Sequence, residues 1–280
     1  MKDDALKAAI ADDVRRALAE DLGTGDVTAA LLPAAGSSAA TVITREDAVL
    51  CGTAWFDAVF AQLDPNVRIS WLAQDGDAIQ AGQELCRLYG PTRALLSGER
   101  CALNFLQTLS ATATATRRCV AAIAGTGAQI LDTRKTIPGL RVAQKFAVRC
   151  GGGRNHRMGL YDAILIKENH IAAAGSIERA VNAAQQLQPG LSIEVEVENL
   201  EQLQQAIAAR ADIILLDNFS LDDLPAAVTL NAGRAKLEAS GGVSLDNVRD
   251  IAATGVDFIS VGALTKHIQA IDLSLRVGNN

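Results

Sequence analysis

Residues 8–134 contain no lysine. That absence bears on WLAQDGDAIQAGQELCRL (71–88), whose Gly-Asp and Gly-Gln turns have the pattern of a lipoyl- or biotin-carrier hairpin. A carrier needs an exposed lysine on a tight turn, so this hairpin is expected to be structural. Aromatic residues are only 4% of the chain, beside 49% hydrophobic and 21% charged. This is the composition of an alanine-rich soluble protein rather than a membrane span or a low-complexity tail. No apolar run reaches membrane length. The start, MKDDALKAAIADDVRRAL, carries too many acids for a signal or transit peptide; it reads as an amphipathic first helix, and the protein as cytoplasmic.

Other absences narrow the chemistry. The cysteines, Cys51, Cys86, Cys101, Cys119 and Cys150, are odd in number and widely spaced, without a CxxC pair to start a zinc site or a redox centre. Reduced, mostly buried thiols are expected. A net charge of −6 and a pI near 5.1 argue against nucleic-acid partners, because such binding needs an extended basic face that releases counterions.

What is present has a rhythm. In the second half, AQILDT (128–133), DAILIK (162–167), LSIEVEV (191–197), ADIILLD (211–217), AKLEAS (235–240) and VDFISVG (256–262) alternate with helical segments. SIERAVNAAQQLQ opens on a serine at an N-cap position, NLEQLQQAIAA on Asn199, and SLDNVRDIAATG closes on a glycine. Strands alternating with helices imply a parallel sheet. Six of them in one half, with no GxGxxG after the first, favour a closed or nearly closed β/α barrel of six to seven strands over an open doubly wound sheet. The first third differs: after the opening helix come short strands around ATVITRED, AVLCG, NVRISWL and ELCRLYG, with a helix near 53–62. That suggests an N-terminal α+β sandwich-like domain over 1–110, a long helix over 93–123, a barrel over 111–264, and a last helix over 265–280 packing back on the first domain.

Reactive groups of a β/α barrel collect where the strands end. Arg134 and Lys135 follow the first run, Lys167 ends the second, Glu196 falls late in the third and Asp217 ends the fourth. Ser240, Gly241 and Gly242 follow the fifth, and Gly262 the sixth. Residues 133–167 hold eight lysines and arginines, His156, and a single acid, Asp162. Like charges in one concave site repel, so the cluster implies a ligand with several negative charges. Arginine forks suit carboxylates and phosphates, and lysine adds a movable charge. Arg141, Lys145 and Arg149, spaced by four, are expected on a solvated helix face; Arg134, Lys135 and Arg157 are the functional candidates. Glu196 and Asp217 could converge on Mg²⁺ together with substrate phosphates, with Glu194 and Glu198 as rivals on the same strand face. The turns ASGGVS and SVGALT offer backbone N–H groups at helix starts, as a phosphate site would.

Taken together, EDLGTGDVTA, SGERCALNFLQTLSATAT, LDTRKTIPGLRVAQKFAVRCGGGRNHRMGLYDAILIKENHI, EVEVEN, ADIILLDNF, LEASGGV and ISVGALT resemble the quinolinate phosphoribosyltransferases along almost the whole chain. The resemblance implies condensation of quinolinate with phosphoribosyl pyrophosphate to nicotinate mononucleotide, carbon dioxide and pyrophosphate, in NAD biosynthesis. It implies Mg²⁺ and no organic cofactor. By similarity Thr133, Arg134, Lys135, His156, Arg157 and Lys167 surround the dicarboxylate, and Arg100 reaches into the neighbouring subunit of at least a homodimer. Glu196 and Asp217 face the ribose and the metal-bound pyrophosphate, with Lys135 and Lys167 beside them as catalytic groups. Ser240, Gly241, Gly242, Val261, Gly262 and Ala263 hold the ribose phosphate. Three alternatives stay open on the residues alone: a nicotinate-using transferase with fewer cations, a Schiff-base aldolase acting through Lys167, and a phosphosugar-binding protein without catalysis. The two acids and TGGT-like turn of the orotate-type transferases are missing, so a transferase here must be of the barrel type.

Overall fold

The structure, a computed structural model, describes residues 3–278. By its internal contacts the described chain forms two compact units, one of residues 3–117, 137–152 and 267–278, the other of residues 118–136 and 153–266.

In chain order the first unit begins with α1 (Asp3–Leu22), β1 (Ser37–Thr44), β2 (Ala48–Val49), α2 (Thr53–Leu63), β3 (Arg68–Trp71), β4 (Ala78–Ile79), β5 (Glu84–Pro91) and the long α3 (Thr92–Ala122). The chain then supplies β6 (Gln129–Leu131) to the second unit, α4 (Arg141–Cys150) to the first, and β7 (Ile164–Ile166), α5 (Glu168–Ala174) and α6 (Ile177–Leu187) to the second. There follow β8 (Ile193–Val197), α7 (Leu200–Ala208), β9 (Ile213–Asp217), α8 (Asp223–Asn231), β10 (Lys236–Ser240), α9 (Val248–Ala253), β11 (Phe258–Ser260) and α10 (Ala263–Lys266). The last strand, β12 (Leu273–Gly278), returns to the first unit.

The first unit is α+β. Its main sheet runs β12-β1-β5-β3 with antiparallel neighbours, and β2 pairs with β4 separately. Ala40, Val42 and Thr44 alternate inward along β1, and α2 buries Trp55, Phe56, Val59 and Phe60, a spacing that puts them on one helix face. The scarce aromatics are concentrated here: Phe56 packs against Phe60 and against Trp71, each at 5.2 Å between ring centroids. A Cβ on Gly98 of α3 would lie 2.7 Å from the Phe60 ring, so glycine is what lets α3 approach α2. The Ser/Thr pattern of α3 also has a use. Ser110 Oγ accepts from the Cys51 N–H at 2.9 Å and Thr114 Oγ1 from the Val49 N–H at 2.8 Å, satisfying backbone donors inside the core.

Two sequence expectations need correction here. The helix expected over 265–280 stops at Lys266, and Leu273–Gly278 is a strand paired antiparallel to β1; Asn279 and Asn280 lie outside the described residues. Leu273 and Leu275 are buried and alternate with Ser274 and Arg276, a period of two that fits a strand and not a helix. Lys145 is fully buried rather than on a solvated face. A spacing of four places residues on one stripe of a helix but does not say which way the stripe faces, and α4 also buries Ala143, Gln144, Ala147 and Val148.

The second unit is a parallel six-stranded sheet in the order β6-β11-β10-β9-β8-β7. Strands β7 to β11 lie side by side in chain order, and β6, first in sequence, closes onto β11. This is a β/α barrel with one gap, between β6 and β7. The chain at Arg154 fills part of that gap: the Arg154 N–H donates to the Ile130 carbonyl at 2.8 Å, and the Asp132 N–H to the Arg154 carbonyl at 3.1 Å. Ser176 caps α6 by accepting from the Arg179 N–H, and Asn199 caps α7 through the Gln202 N–H. Ile130, Ile166, Val195, Ile214, Leu216, Leu237 and Ile259 form the apolar side of the sheet.

Candidate active site

The opposite face of this sheet carries the carboxylates. Register places Glu194 beside Leu165 and Ile213, Glu196 beside Leu215, Glu238 between Leu215 and Phe258, and Ser240 beside Asp217. Because side chains alternate along a strand, all of these share one face. That face lines the barrel interior: Glu194 and Glu238, two strands apart, both approach the His156 ring, at 2.8 and 3.8 Å.

The floor of the site is acidic and dry. Asp132, Glu194 and Glu238 are 0%, 3% and 1% exposed. Asp132 accepts from the Asn155 side-chain amide and, at 2.9 Å, from the His156 N–H, which sets the course of the chain across the gap. His156 Nδ1 accepts the Arg157 N–H at 2.7 Å, so the ring proton sits on Nε2 and is donated to Glu194 at 2.8 Å. Neither oxygen of Glu238 makes a well-formed hydrogen bond. Burial, and then the charge of Glu194, push its carboxyl up to about 8, while His156 and the Ser260 hydroxyl act in the opposite sense. Two carboxyl groups so close in a water-poor site cannot both ionise cheaply, so the second keeps its proton.

The candidate cations belong to the same unit. Burial, and then the nearby Arg134 charge, hold the Arg157 guanidinium below its ordinary pKa, while Glu194 and Asp162 oppose that shift. Two guanidiniums whose charges interact suit a multiply charged anion. Lys167, at the start of α5, donates from Nζ to Glu196 in a short contact; its side chain is 42% exposed against 13% for Glu196. Lys135 runs over Gly262: a Cβ there would lie 3.0 Å from the Lys135 Cδ, and Thr265 Oγ1 donates to the Lys135 carbonyl at 2.8 Å. Thr133 Oγ1 accepts the Lys135 N–H at 3.1 Å.

The glycine turns are sterically specified. Gly241 has φ +94°, and a Cβ on it would stand 2.1 Å from Asn218 Oδ1 and 3.0 Å from the Asn218 nitrogen. Asn218 itself is left-handed, at φ +56°; its N–H donates to the Ser240 carbonyl and its side chain to Asp217. Asp217 is therefore positioned by the same close approach that requires Gly241. Gly242, at φ +58°, has open space around it.

Fourteen of the residues singled out in the sequence thus sit in the barrel unit, all but His156 and Arg157 at or just past its strand ends. They are Thr133, Arg134, Lys135, His156, Arg157, Lys167, Glu196, Asp217, Ser240, Gly241, Gly242, Val261, Gly262 and Ala263. Val261 is 2% exposed and its N–H donates to the Leu131 carbonyl, so neither is open to a ligand. Arg100 lies exposed on α3 in the first unit. Sequence reasoning passed over Asp132 and Glu238. Both carried a signal: Asp132 directly precedes the Thr-Arg-Lys strand end, and Glu238 alternates with Ser240 on the interior face.

A parallel barrel with arginines and lysines at its mouth, carboxylates on the intervening strands and glycine turns after its last two strands defines a class: barrels that hold an anionic small molecule. The family is more particular. Residues 26–110 match the N-terminal domain of quinolinate phosphoribosyl transferase, and residues 112–276 its C-terminal domain. The chain belongs to the quinolinate phosphoribosyltransferase family. It is 43% identical over 274 residues to the nicotinate-nucleotide pyrophosphorylase [carboxylating] of Mycobacterium leprae, covering 94% of this chain and 95% of that one. It is 41% identical over 285 residues to quinolinate phosphoribosyltransferase [decarboxylating] 1 of Nicotiana glauca, covering 94% and 81%. The solved nicotinate-nucleotide pyrophosphorylase of Francisella tularensis superposes with a TM-score of 0.95 at 51% identity, covering 97% of each chain.

Proposed function

We propose that the chain transfers the phosphoribosyl group of phosphoribosyl pyrophosphate to the ring nitrogen of quinolinate and releases carbon dioxide, giving nicotinate mononucleotide for NAD synthesis in the cytoplasm. The observation that carries this reading is the charge interaction of Arg157 with Arg134 and with the buried Glu194, in the same barrel unit as Lys135 and Lys167. A dicarboxylate needs such a density of cations; a monocarboxylate such as nicotinate would leave some unpaired.

Arg134, Arg157, Lys135 and Lys167 bind and orient quinolinate, with His156 fixed among them by Glu194. Glu196 and Asp217 face the ribose, where their charge stabilises the oxocarbenium character that develops at C1 as pyrophosphate departs. Ser240, Gly241, Gly242, Gly262 and Ala263 receive the ribose phosphate at the barrel end where such sites form. Val261 supports that turn from within the sheet.

Glu196 and Asp217 fit Mg²⁺ by donor chemistry: both are hard carboxylate oxygens on neighbouring strands, able to hold the ion mainly through substrate phosphates and water. When bound, Mg²⁺ supplies charge neutralisation to the pyrophosphate leaving group. After the pyridine nitrogen has bonded to C1, the pyridinium charge stabilises the carbanion left at C2, so the substrate is its own electron sink and no organic cofactor is required. We also place the protein in at least a homodimer, with the exposed Arg100 completing the partner's site.

Release of labelled carbon dioxide from quinolinate carboxyl-labelled at C2 tests the reading. It should require both phosphoribosyl pyrophosphate and Mg²⁺, and collapse in Arg134→Ala. No release by folded protein, with turnover of nicotinate instead, would overturn it.

A further inference from the structure

Two of the five thiols meet in the first unit. The sulfurs of Cys51 and Cys150 and a carboxylate oxygen of Asp75 all lie within 4.8 Å of one another. Asp75 is engaged elsewhere: its Oδ1 accepts from the Gly52 N–H at 2.9 Å and from the Thr53 N–H at 3.1 Å, at the start of α2. The two sulfurs are left within 4.8 Å of each other.

Both backbones are clamped around this pair. The Cys51 N–H donates to Ser110 Oγ at 2.9 Å, and the Ser110 hydroxyl lies 3.2 Å from the Cys51 carbonyl. Arg117 donates to the carbonyls of Gly151, Cys150 and Gly76, at 3.0, 3.2 and 3.3 Å. Holding two thiols near each other raises the chance that they bond to each other rather than to another partner. With ninety-eight residues between the two cysteines, nothing in the sequence signals this pair.

We propose that Cys51 and Cys150 form a redox-active dithiol, a modification site at which a hydroperoxide oxidises Cys150 and Cys51 closes a disulfide onto it. The Cys150 sulfur attacks a peroxide oxygen; the O–O bond breaks, an S–O bond forms, and the departing oxygen leaves as water or alcohol with the thiol proton. The Cys51 sulfur then attacks the sulfenic sulfur, forming S–S and breaking S–O, and hydroxide leaves as water with the Cys51 proton. Two electrons pass from the two sulfurs to the peroxide.

The assignment of attacking and resolving thiol follows from surroundings. Cys150 is half-buried, and its thiol is held below the ordinary value first by its interaction with the Cys51 thiol, with help from Arg149 and Arg117 against burial and Asp75. Cys51 is fully buried, and burial pushes its thiol up. The remaining thiols are buried and held protonated, Cys101 up to about 11 and Cys86 and Cys119 also raised, so they are poor nucleophiles.

The test is a peptide map of the reduced full-length protein treated with a stoichiometric amount of hydrogen peroxide, alkylated and digested without reductant. A Cys51–Cys150 cross-linked peptide should form before Cys86, Cys101 or Cys119 loses its alkylation. The intact mass should fall by two hydrogens, and dithiothreitol should restore it. In Cys51→Ala, Cys150 should instead gain oxygen. If wild-type Cys150 stays alkylatable, or gathers oxygen while Cys51 remains free, or another thiol reacts first, the proposal is overturned. The wild-type map decides the matter even if the variant does not fold.

Discussion

The His156 ring and the Glu194 carboxylate meet at 2.8 Å inside the barrel, and on the other side of the ring Nδ1 takes the Arg157 N–H at 2.7 Å. The imidazole is thus held from both sides, and the arginine that follows it takes its direction from the same contact. In Glu194→Ala we expect KM for quinolinate to rise about 10-fold or more, with kcat changed less, because the loss is one of positioning. Steady-state kinetics, with the ¹⁵N shift of His156 Nε2, check this; an unchanged KM with an altered ring signal would show that the ring does not orient the substrate.

Glu238 makes stability depend on pH in a stated direction. Its folded carboxyl is pushed up to about 8 from an ordinary 4.5. Between those values the folded chain keeps a proton that the unfolded chain has lost, so this group's contribution is fully present below 4.5 and declines as pH rises toward about 8. Glu238→Gln keeps the shape and removes the titration. Denaturant unfolding from pH 5 to 8 should give a flatter stability profile than wild type, and a variant profile as steep as the original would assign the slope to another group.

Two glycines separate backbone strain from ligand contact. Gly241→Ala forces a Cβ against Asn218 in a left-handed backbone, at a cost of about 2 kcal/mol or more, and should weaken phosphoribosyl pyrophosphate binding by displacing Asp217. Gly242→Ala, with open space around it, should cost about 1 kcal/mol. Unfolding curves for the pair test the contrast. If the two variants unfold alike, the Asn218 contact is not what requires Gly241.

The tight contact in Gly262→Ala is with the flexible stem of Lys135; Thr133 Oγ1, at 3.7 Å, is in ordinary contact. The fold should change by less than about 1 kcal/mol while activity falls about 10-fold, since the Lys135 ammonium is turned out of place. Equal losses of stability and activity would point to the turn rather than to Lys135.

Lys167 is already engaged with Glu196. An ammonium shared with a carboxylate is no amine nucleophile, so borohydride in the presence of substrate should trap no adduct on it. Lys167→Ala should lower kcat by about 100-fold or more. The ion pair, with Lys167 42% exposed, is worth about 1 kcal/mol or less to stability, which thermal unfolding of the variant would register. A trapped adduct would reopen the aldolase alternative.

Much of this molecule is readable from its residues. The six apolar runs of the second half each became a strand, with Glu196, Asp217 and the glycine turns at their ends, because period and capping are local properties of a chain. The final segment was legible too: Leu273, Leu275 and Val277 alternate with polar residues, and the helix expected there gave too little weight to a period of two.

The facing of each element was not legible. A spacing of four made Arg141, Lys145 and Arg149 one stripe, and only packing determined that Lys145 is buried. Glu194, Glu196 and Glu198 share a strand face in the sequence, but Glu194 is buried against His156, Glu196 meets Lys167, and Glu198 is exposed. The Cys51–Cys150 pair belongs to the same category. By itself the sequence determined the type and order of the elements and the chemical character of the strand ends, since these depend on neighbours a few residues away. Tertiary structure alone decided which carboxylates are buried, which cation each one meets and which thiols face each other. Burial and charge pairing depend on distances through space, and those come only from closing the barrel and packing the first core.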